Sequence, residues 1–506
     1  MQLNKRLAAA LETLKQLQDD RVVAIHTDQI KSVKHRQLLL KYGFIREASR
    51  GWYIASNPNE KVGETTSWFS AFWDFIPVYL DRKYGENWCL SADQSLFLHA
   101  QNFGIPPQLL VRSPQANNKP TPMLHGTSVF NLKMEIPPKA LTVQINGIRM
   151  YSLSAALIYA SPGIFATHAL EVRTILSMVP DASELLHTLL EKGHSTIAGR
   201  LAGAFRKVGK HLIADDIIAA FKHEDFDIRE ADPFASDAEV KLAIPSLSPL
   251  GVRLQLMWQE MRETVLKYFP VPSGKVTDID TYLEHIDEVF VLDAYHSLSI
   301  ERYLVSPELI KRVSSGTWDT DKNDYDQRER DAMAARGYFQ AYKRVKKSIR
   351  HILEGTNAGS QVAKDHGEWY RELFDPSVAA GLLRPADLAG YRNHRVFIGN
   401  SRHVPVQPEE MRNAMPVLFE LLAAEPESAV RAVLGHFFFV YIHPYMDGNG
   451  RIARFLMNAM LASGGYPWTI VPVEQRDAYM EALEHASVEQ NIESFARFLA
   501  DLVMNK

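Results

Sequence analysis

At 506 residues the chain is too long for one hydrophobic core, and about three domains of ordinary size are expected. Its 46% hydrophobic and 23% charged content is that of an average soluble protein, and a net charge of −4 names no partner. One cysteine, Cys89, excludes an internal disulfide. No run nears ~20 apolar residues and the start (Met-Gln-Leu-Asn-Lys-Arg) lacks a signal-peptide core, so a cytoplasmic location without a membrane partner is expected.

Residues 1–55 read as a winged helix-turn-helix. Apolar residues at helical spacing span 7–17, Thr27 is suited to cap a short helix through Val33, and 35–42 gives another helix ended by Gly43. Residues 44–54 then alternate around Arg50-Gly51, as a hairpin does. Ten Lys or Arg stand against five acids here, an excess of five in a chain that is acidic overall. Concentrated basicity suits DNA phosphates, and the plain alternative is a solvated surface or a module for protein contacts.

Residues 56–235 mix helices with β-like runs such as 141–145. Residues 115–122 read as an exposed loop, and 194–221 as two helices. The order of elements, helix and wing first and a mixed α/β domain after, resembles the AbiEi family of antitoxin-like regulators. No catalytic constellation stands out in this half, and His99, His125 and His168 read as structural histidines.

Proline-rich stretches at 232–237 and 244–249 mark a boundary, after which the pattern is almost wholly helical. Helices are expected at 252–268, 280–303, 324–353, 367–374, 411–424, 428–442, 451–462 and 476–487, with one hairpin near 396–406. The fold class is therefore multidomain α+β, divided as 1–55, 56–235 and a helical domain over 236–506 with its core at about 280–500.

The most informative stretch is 443–454, His-Pro-Tyr-Met-Asp-Gly-Asn-Gly-Arg-Ile-Ala-Arg. Pro444 stops the preceding helix, and Gly448, Asn449 and Gly450 tolerate positive φ, so the loop can curl its N–H groups inward. Arg451 opens the next helix, whose N-terminus is a ready anion site, and Arg454 lies on the same face. Asp447 offers a hard oxygen to Mg²⁺, and His443 can take a proton from an attacking hydroxyl.

This stretch resembles the Fic family signature, His-Pro-Phe-x-Asp-Gly-Asn-Gly-Arg-x-x-Arg, with Tyr445 replacing Phe. The resemblance implies AMP transfer from ATP to a protein hydroxyl. It makes His443 the general base, Asp447 the Mg²⁺ ligand and Gly448, Asn449 and Gly450 the cradle of the α and β phosphates. Arg451 would steady the β-phosphate and Arg454 the γ-phosphate. The second glycine, Gly450, favours AMP transfer over phosphorylation. Gly390-Tyr-Arg392 and 396–405 look like the family's hairpin flap, with Ile398, Gly399, Arg402, His403 and Val404 docking the target backbone. Tyr479 matches a position near the nucleotide, and Ser487 stands where the family often has Asn.

Ser297-Leu-Ser-Ile-Glu301 resembles the family's inhibitory motif, Ser/Thr-x-x-x-Glu-Gly/Asn, in which the glutamate pairs with the second arginine. Arg302 stands where that motif has Gly or Asn. Leu353-Glu-Gly355 is a weaker candidate, since Arg350 replaces the Ser or Thr. Two functional readings follow. One is a self-restrained, Mg²⁺- and ATP-dependent adenylyltransferase acting on a Ser, Thr or Tyr hydroxyl of a target or of itself. The other is a DNA-binding, antitoxin-like regulator whose Fic domain senses nucleotide or removes AMP. A homodimer is compatible with either.

Overall fold

The computed structural model describes residues 2–60, 64–234, 248–272, 274–315 and 326–504. They fall into two compact units. The first is Met1–Leu242 with Phe397–Val404, and the second is Ala243–Val396 with Pro405–Lys506. The proline-rich boundary stretches fall mostly on 235–247, outside the described residues.

The first unit opens with α1 (Gln2–Asp19), β1 (Ile25–His26), α2 (Val33–Lys41), β2 (Ile45–Ser49) and β3 (Trp52–Ala55). The strands form an antiparallel sheet in the order β1-β3-β2 around the Arg50-Gly51 tip. The short helix expected from Thr27 is a turn instead. The Thr27 hydroxyl donates to Gly51 O (2.9 Å), so it is spent on the hairpin, and Ser32 caps α2 by accepting from His35 N–H (3.2 Å). Gly43, at φ 73°, takes the left-handed turn after α2.

Next come α3 (Thr66–Tyr84), β4 (Cys89–Leu90), α4 (Ala92–His99), β5 (Gln108–Ser113), β6 (Lys119–Pro122), β7 (Ser128–Lys133), β8 (Thr142–Ile145) and β9 (Ile148–Tyr151). A second sheet runs β4-β5-β7-β6, with β5 parallel to β7, and β8 pairs with β9. The loop expected at 115–122 therefore contains an edge strand. Pro120 and Pro122 are tolerated in β6 because one side of an edge strand needs no donors. Trp68, Phe72, Phe75 and Leu80 of α3 bury a core with Trp52, Leu109 and Val129. Helices α5 (Leu153–Tyr159), α6 (Ile164–Thr167), α7 (Ala169–Met178), α8 (Ser183–Glu191), α9 (Ser195–Lys207) and α10 (His211–His223) complete the unit around a separate core.

The second unit is helical: α11 (Pro249–Tyr268), α12 (Ile279–Ile300), α13 (Pro307–Ser314), α14 (Asp326–Leu353), α15 (Ala358–Ala379), α16 (Met411–Ala424), α17 (Ser428–Ile442), α18 (Asn449–Ser463), α19 (Arg476–Val488) and α20 (Glu493–Met504). The apolar run before His443 forms α17, the buried centre, and Gly435 lets it approach its neighbours. A Cβ there would meet Leu456 of α18 at 2.7 Å and Leu422 of α16 at 2.9 Å. Helix α15 is much longer than the expected 367–374, because the Asn357 side chain caps it at Ser360 N–H (2.9 Å). Among the described residues no helix is long and apolar enough to cross a membrane.

The expected β-hairpin near 396–406 has no ladder. Ser401 N–H donates to Ile398 O (3.1 Å), closing a tight turn with Asn400 at φ 62°. The polar groups of the following residues go elsewhere within the first unit. Arg402 Nε and Nη2 donate to Ile105 O (3.1 and 2.8 Å), Ile105 N–H donates back to Arg402 O (3.1 Å), and Val404 packs on the α3 core. A hairpin reading carried by a motif resemblance had no way to show these partners.

Candidate active site in the helical unit

Helix α17 ends at His443, whose backbone is left-handed (φ 56°, ψ 61°). For a residue with a Cβ this conformation costs about 1–2 kcal/mol, so something must hold it. Arg392 does. Its Nε donates to His443 O (2.7 Å), Nη1 to His394 O (2.9 Å), and Nη2 to Ile442 O (3.4 Å) and Val406 O. Its backbone N–H donates to Pro444 O (2.9 Å). A cation here also complements the negative end of α17. Burial lowers the Arg392 guanidinium to about 10.

His443 Nδ1 lies 3.1 Å from Val440 O. A carbonyl only accepts, so Nδ1 carries the proton and Nε2 keeps its lone pair. Burial lowers the imidazole to about 4, with the Arg392 charge acting in the same direction. At neutral pH the ring is therefore neutral and ready to accept a proton.

Asn449 closes the loop. Its side-chain oxygen accepts from Tyr445 N–H (2.9 Å) and its amide donates to Tyr445 O (2.8 Å). Tyr445 is buried and stacks on Tyr370, centroids 3.7 Å apart and 4° from parallel. Gly448, at φ 82°, turns the chain into α18. Ile452 N–H bonds back to Gly448 O (3.0 Å), so the N–H groups of Asn449, Gly450 and Arg451 have no partner within the helix. They form an anion site backed by the helix dipole. Asp447 stands at its rim with its side chain 60% exposed, accepting from Gly448 N–H (2.6 Å), its other oxygen 3.3 Å from Arg451 Nη2.

The two arginines are both buried and differently engaged. The Arg451 guanidinium sits 5.2 Å from the Tyr303 ring and 5.0 Å from the Phe374 ring, and its Nε and Nη2 make no hydrogen bond. Arg454 donates from Nε to Ser297 Oγ (2.8 Å), and from Nη2 to Ser297 O (3.0 Å) and Glu301 Oε1 (2.9 Å). Its Nη1 is left without a partner. Burial depresses the Arg454 guanidinium, but the Glu301 carboxylate outweighs it and holds it above its usual range. The same carboxylate lies against the start of α18, where a Cβ on Gly450 would collide with Glu301 Oε1.

Glu301 caps the end of α12, and Arg302 follows at φ 67°. This is the left-handed conformation that Gly or Asn would take at little cost. Ser297 and Glu301, one turn apart, thus face Arg454 together, as the inhibitory-motif resemblance implies. Glu354, in the weaker candidate, ends α14 with its N–H bonded to Arg350 O (2.9 Å).

Tyr479 is 1% exposed, with its hydroxyl 2.7 Å from His436 Nε2. Its ring packs among His436, Phe495 and Phe498, and its hydroxyl also interacts with Arg454. Burial lowers His436 to about 3, with Arg454 adding to the effect. The flap residues Ile398, Gly399, Arg402, His403 and Val404 belong to the first unit, and His443 to the second.

An open cavity of about 850 Å³ adjoins the loop, lined by Arg451, Asp447, Met446, Tyr303, Phe374 and Tyr391 among others. Among the described residues no three potential metal ligands cluster. The loop offers Asp447 alone, a donor set that fits Mg²⁺ bound chiefly through substrate phosphates and water. Sequence reasoning placed Arg392 in the flap and missed its hold on His443, and it did not single out Tyr303 or Phe374. A lone arginine and two aromatics carry no spacing signal, and only the fold reveals what they touch.

Residues 360–461 match the Fic/DOC family. The Fic/DOC match runs from α15 through the 443–454 loop into α18, and leaves out Glu301, Tyr479 and the whole of 1–242. The protein adenylyltransferase Fic of Drosophila virilis is 30% identical over 226 residues, covering 44% of this chain and 41% of that protein. The protein of the same name from Nematostella vectensis is 29% identical over 299 residues, 58% of this chain and 64% of that one. The solved structure of Fic-1 (aa134–508) from C. elegans overlaps 68% of this chain and 95% of that one, at 18% identity and a TM-score of 0.37. The chain spans about two fifths of the length of the first curated relatives that it matches.

Proposed function

We propose that the protein is an adenylyltransferase that moves AMP from ATP to a Ser, Thr or Tyr hydroxyl of a protein target or of itself. The observation that carries this reading is the loop itself: a neutral His443 beside a helix N-terminus with two buried arginines whose donors are not all spent. The hydroxyl oxygen attacks the α-phosphorus, the bond to the β-phosphate breaks, and pyrophosphate leaves. His443 Nε2 takes the hydroxyl proton. The N–H groups of Asn449, Gly450 and Arg451 hold the α and β phosphates, and Arg451 and Arg454 offset charge on the departing pyrophosphate. Mg²⁺ held by Asp447 would neutralise charge on the phosphate oxygens.

We also propose that Glu301 restrains the reaction. Its carboxylate binds Arg454 and stands on the first turn of α18, so it takes the group and the space that a γ-phosphate needs and repels the triphosphate. The test is intact-protein mass spectrometry of Glu301→Gly after incubation with ATP and Mg²⁺. An added AMP, scarce in wild type, is expected. Its absence from both proteins, across a panel of candidate targets, would overturn the reading.

A second reading concerns the first unit. Lys31, Lys34, Lys41 and Arg50 are exposed on a helix–strand–helix–hairpin module, an arrangement that supports a winged helix touching duplex DNA. Salt-dependent binding of DNA by the full chain, weakened by Lys34→Gln, is the expected result. DNA contact and AMP transfer use different residues and are compatible.

A further inference from the structure

The hairpin tip of the first unit closes one side of a cleft of about 360 Å³. Three cations line it from separate elements: Arg50 at the tip, and Arg82 and Lys83 in the last turn of α3. Two hydroxyl residues, Ser49 at the end of β2 and Thr121 in β6, line it as well.

Lys83 and Arg82 are held, Arg50 is exposed, and the charge of the three is only partly answered. Lys83 Nζ donates to neutral groups: Asn131 Oδ1 (3.0 Å), the Tyr79 hydroxyl (3.3 Å) and the Thr121 hydroxyl (3.5 Å). Its ammonium also lies 5.5 Å from the Tyr79 ring and 5.1 Å from that of Tyr84. Arg82 pairs with Asp28 at 2.6 Å, on a half-exposed surface where such a pair is weak, and Asp28 is shared with His26. Glu47, the acid nearest the tip in sequence, is spent on Gly51 N–H (3.0 Å). Gly51 O in turn accepts from Thr27 N–H (3.0 Å) and the Thr27 hydroxyl (2.9 Å). The tip that carries Arg50 is therefore tied to β2 and the turn after β1, and the adjoining Trp52 packs on Phe75 and Tyr79 of α3. Like charges gathered in a small cleft repel one another unless an anion joins them.

We propose that this cleft seats one backbone phosphate of a DNA duplex, extending the contact surface from residues 1–55 onto α3 and β6. The phosphate oxygens would take charge-assisted bonds from Arg50 and Arg82 and hydroxyl bonds from Ser49 or Thr121. The site rests on the reading of the first unit as a DNA-binding module. It adds that register on the duplex is set partly by residues outside that module. Asp28 acts as an internal competitor, released from Arg82 when the phosphate arrives.

The test is fluorescence anisotropy of the full chain on a labelled random-sequence duplex across a salt series. R50Q/R82Q removes two surface cations without touching the core, and is expected to weaken binding about tenfold and to flatten the log–log salt slope by about one unit. Asp28→Asn is expected to act in the opposite direction, tightening binding, which a merely structural role would not produce. No wild-type binding at the lowest salt would overturn the DNA reading and this site with it. Wild-type binding with an unchanged slope in R50Q/R82Q and no gain in Asp28→Asn would overturn this site alone. Inorganic phosphate protecting the cleft while duplex does not bind would make it a free-phosphate site and overturn the proposal too.

Discussion

The loop at 443–454 and the module at 1–55 both present cations of a kind that suits phosphates, and they hold them in opposite ways. In the loop, Arg451 and Arg454 are buried and oriented by Tyr303, Phe374, Ser297 and Glu301. In the module, Lys31, Lys34, Lys41 and Arg50 stand in water. Enclosure makes each charge expensive and therefore specific, since one partner more or less changes the energy by several kcal/mol. Exposure makes each charge cheap and nearly interchangeable, worth about 1 kcal/mol or less. The difference predicts steep single-residue effects in the helical unit and graded, salt-sensitive effects in the other.

The largest expected effect is at the base. In a Glu301→Gly background, His443→Ala is expected to lower the initial rate of AMP transfer by about 10²–10⁴-fold, read with labelled ATP. An unchanged rate would remove the base from the scheme. Next is Arg392→Lys in the same background. Lysine keeps a charge but loses the fork that reaches the carbonyls of His443, Ile442, His394 and Val406. A fall in kcat of roughly tenfold with little change in KM for ATP is expected, because the loss is of His443 orientation. A change confined to KM would mean that Arg392 acts on nucleotide binding instead.

Acid should weaken both units, the first through His99, which burial lowers to about 4, and the helical one through two more deeply enclosed histidines. His443 is lowered to about 4 and His436 to about 3 in the folded state, below the ordinary histidine range. Between those values and about 6.5 the unfolded chain binds more protons than the folded one, so stability contributed by these groups is lost as pH falls. Thermal unfolding of the helical unit is expected to move to lower temperature from pH 7 to pH 5, while AMP transfer shows no inflection from His443 near 6.5. A clear kinetic inflection at 6.5 that disappears with His443→Ala would show the ring to be less enclosed than it is here.

The smallest effect is at Arg302. Glycine accepts φ 67° without the Cβ clash but carries more unfolded-state entropy. Arg302→Gly is expected to stabilise the chain by about 0.5–1 kcal/mol, read as a higher denaturant midpoint. Destabilisation would mean that the arginine side chain contributes more than its backbone costs.

Much of the helical unit was legible from residues alone. The apolar periodicity at 411–424 and 428–442 gives α16 and α17 at their observed bounds, since Pro444 and the charged linker between them leave little choice. The Glu301–Arg454 pair, 153 residues apart, was legible through a motif resemblance. Spacing alone does not join them. Other features were hidden because their causes lie in distant chain. Thr27 reads as a cap until Gly51 takes its hydroxyl, and 115–122 reads as a loop until β7 supplies a ladder. Residues 396–406 read as a hairpin until Ile105 takes their bonds. Tyr479 reads as a position near the nucleotide, and nothing in its spacing showed that its hydroxyl would lie 2.7 Å from His436 Nε2.

The sequence by itself determined which chemistry the 443–454 loop is equipped for, because proline, glycine and helix-end rules act between neighbours and need no fold to apply. Only the tertiary structure decided how that equipment is set. It placed Arg392 behind His443, left Arg451 with donors to spare, and tied Arg454 to a carboxylate on α12. Those are contacts between segments far apart in the chain, fixed by packing and burial, and nothing local to the loop encodes them.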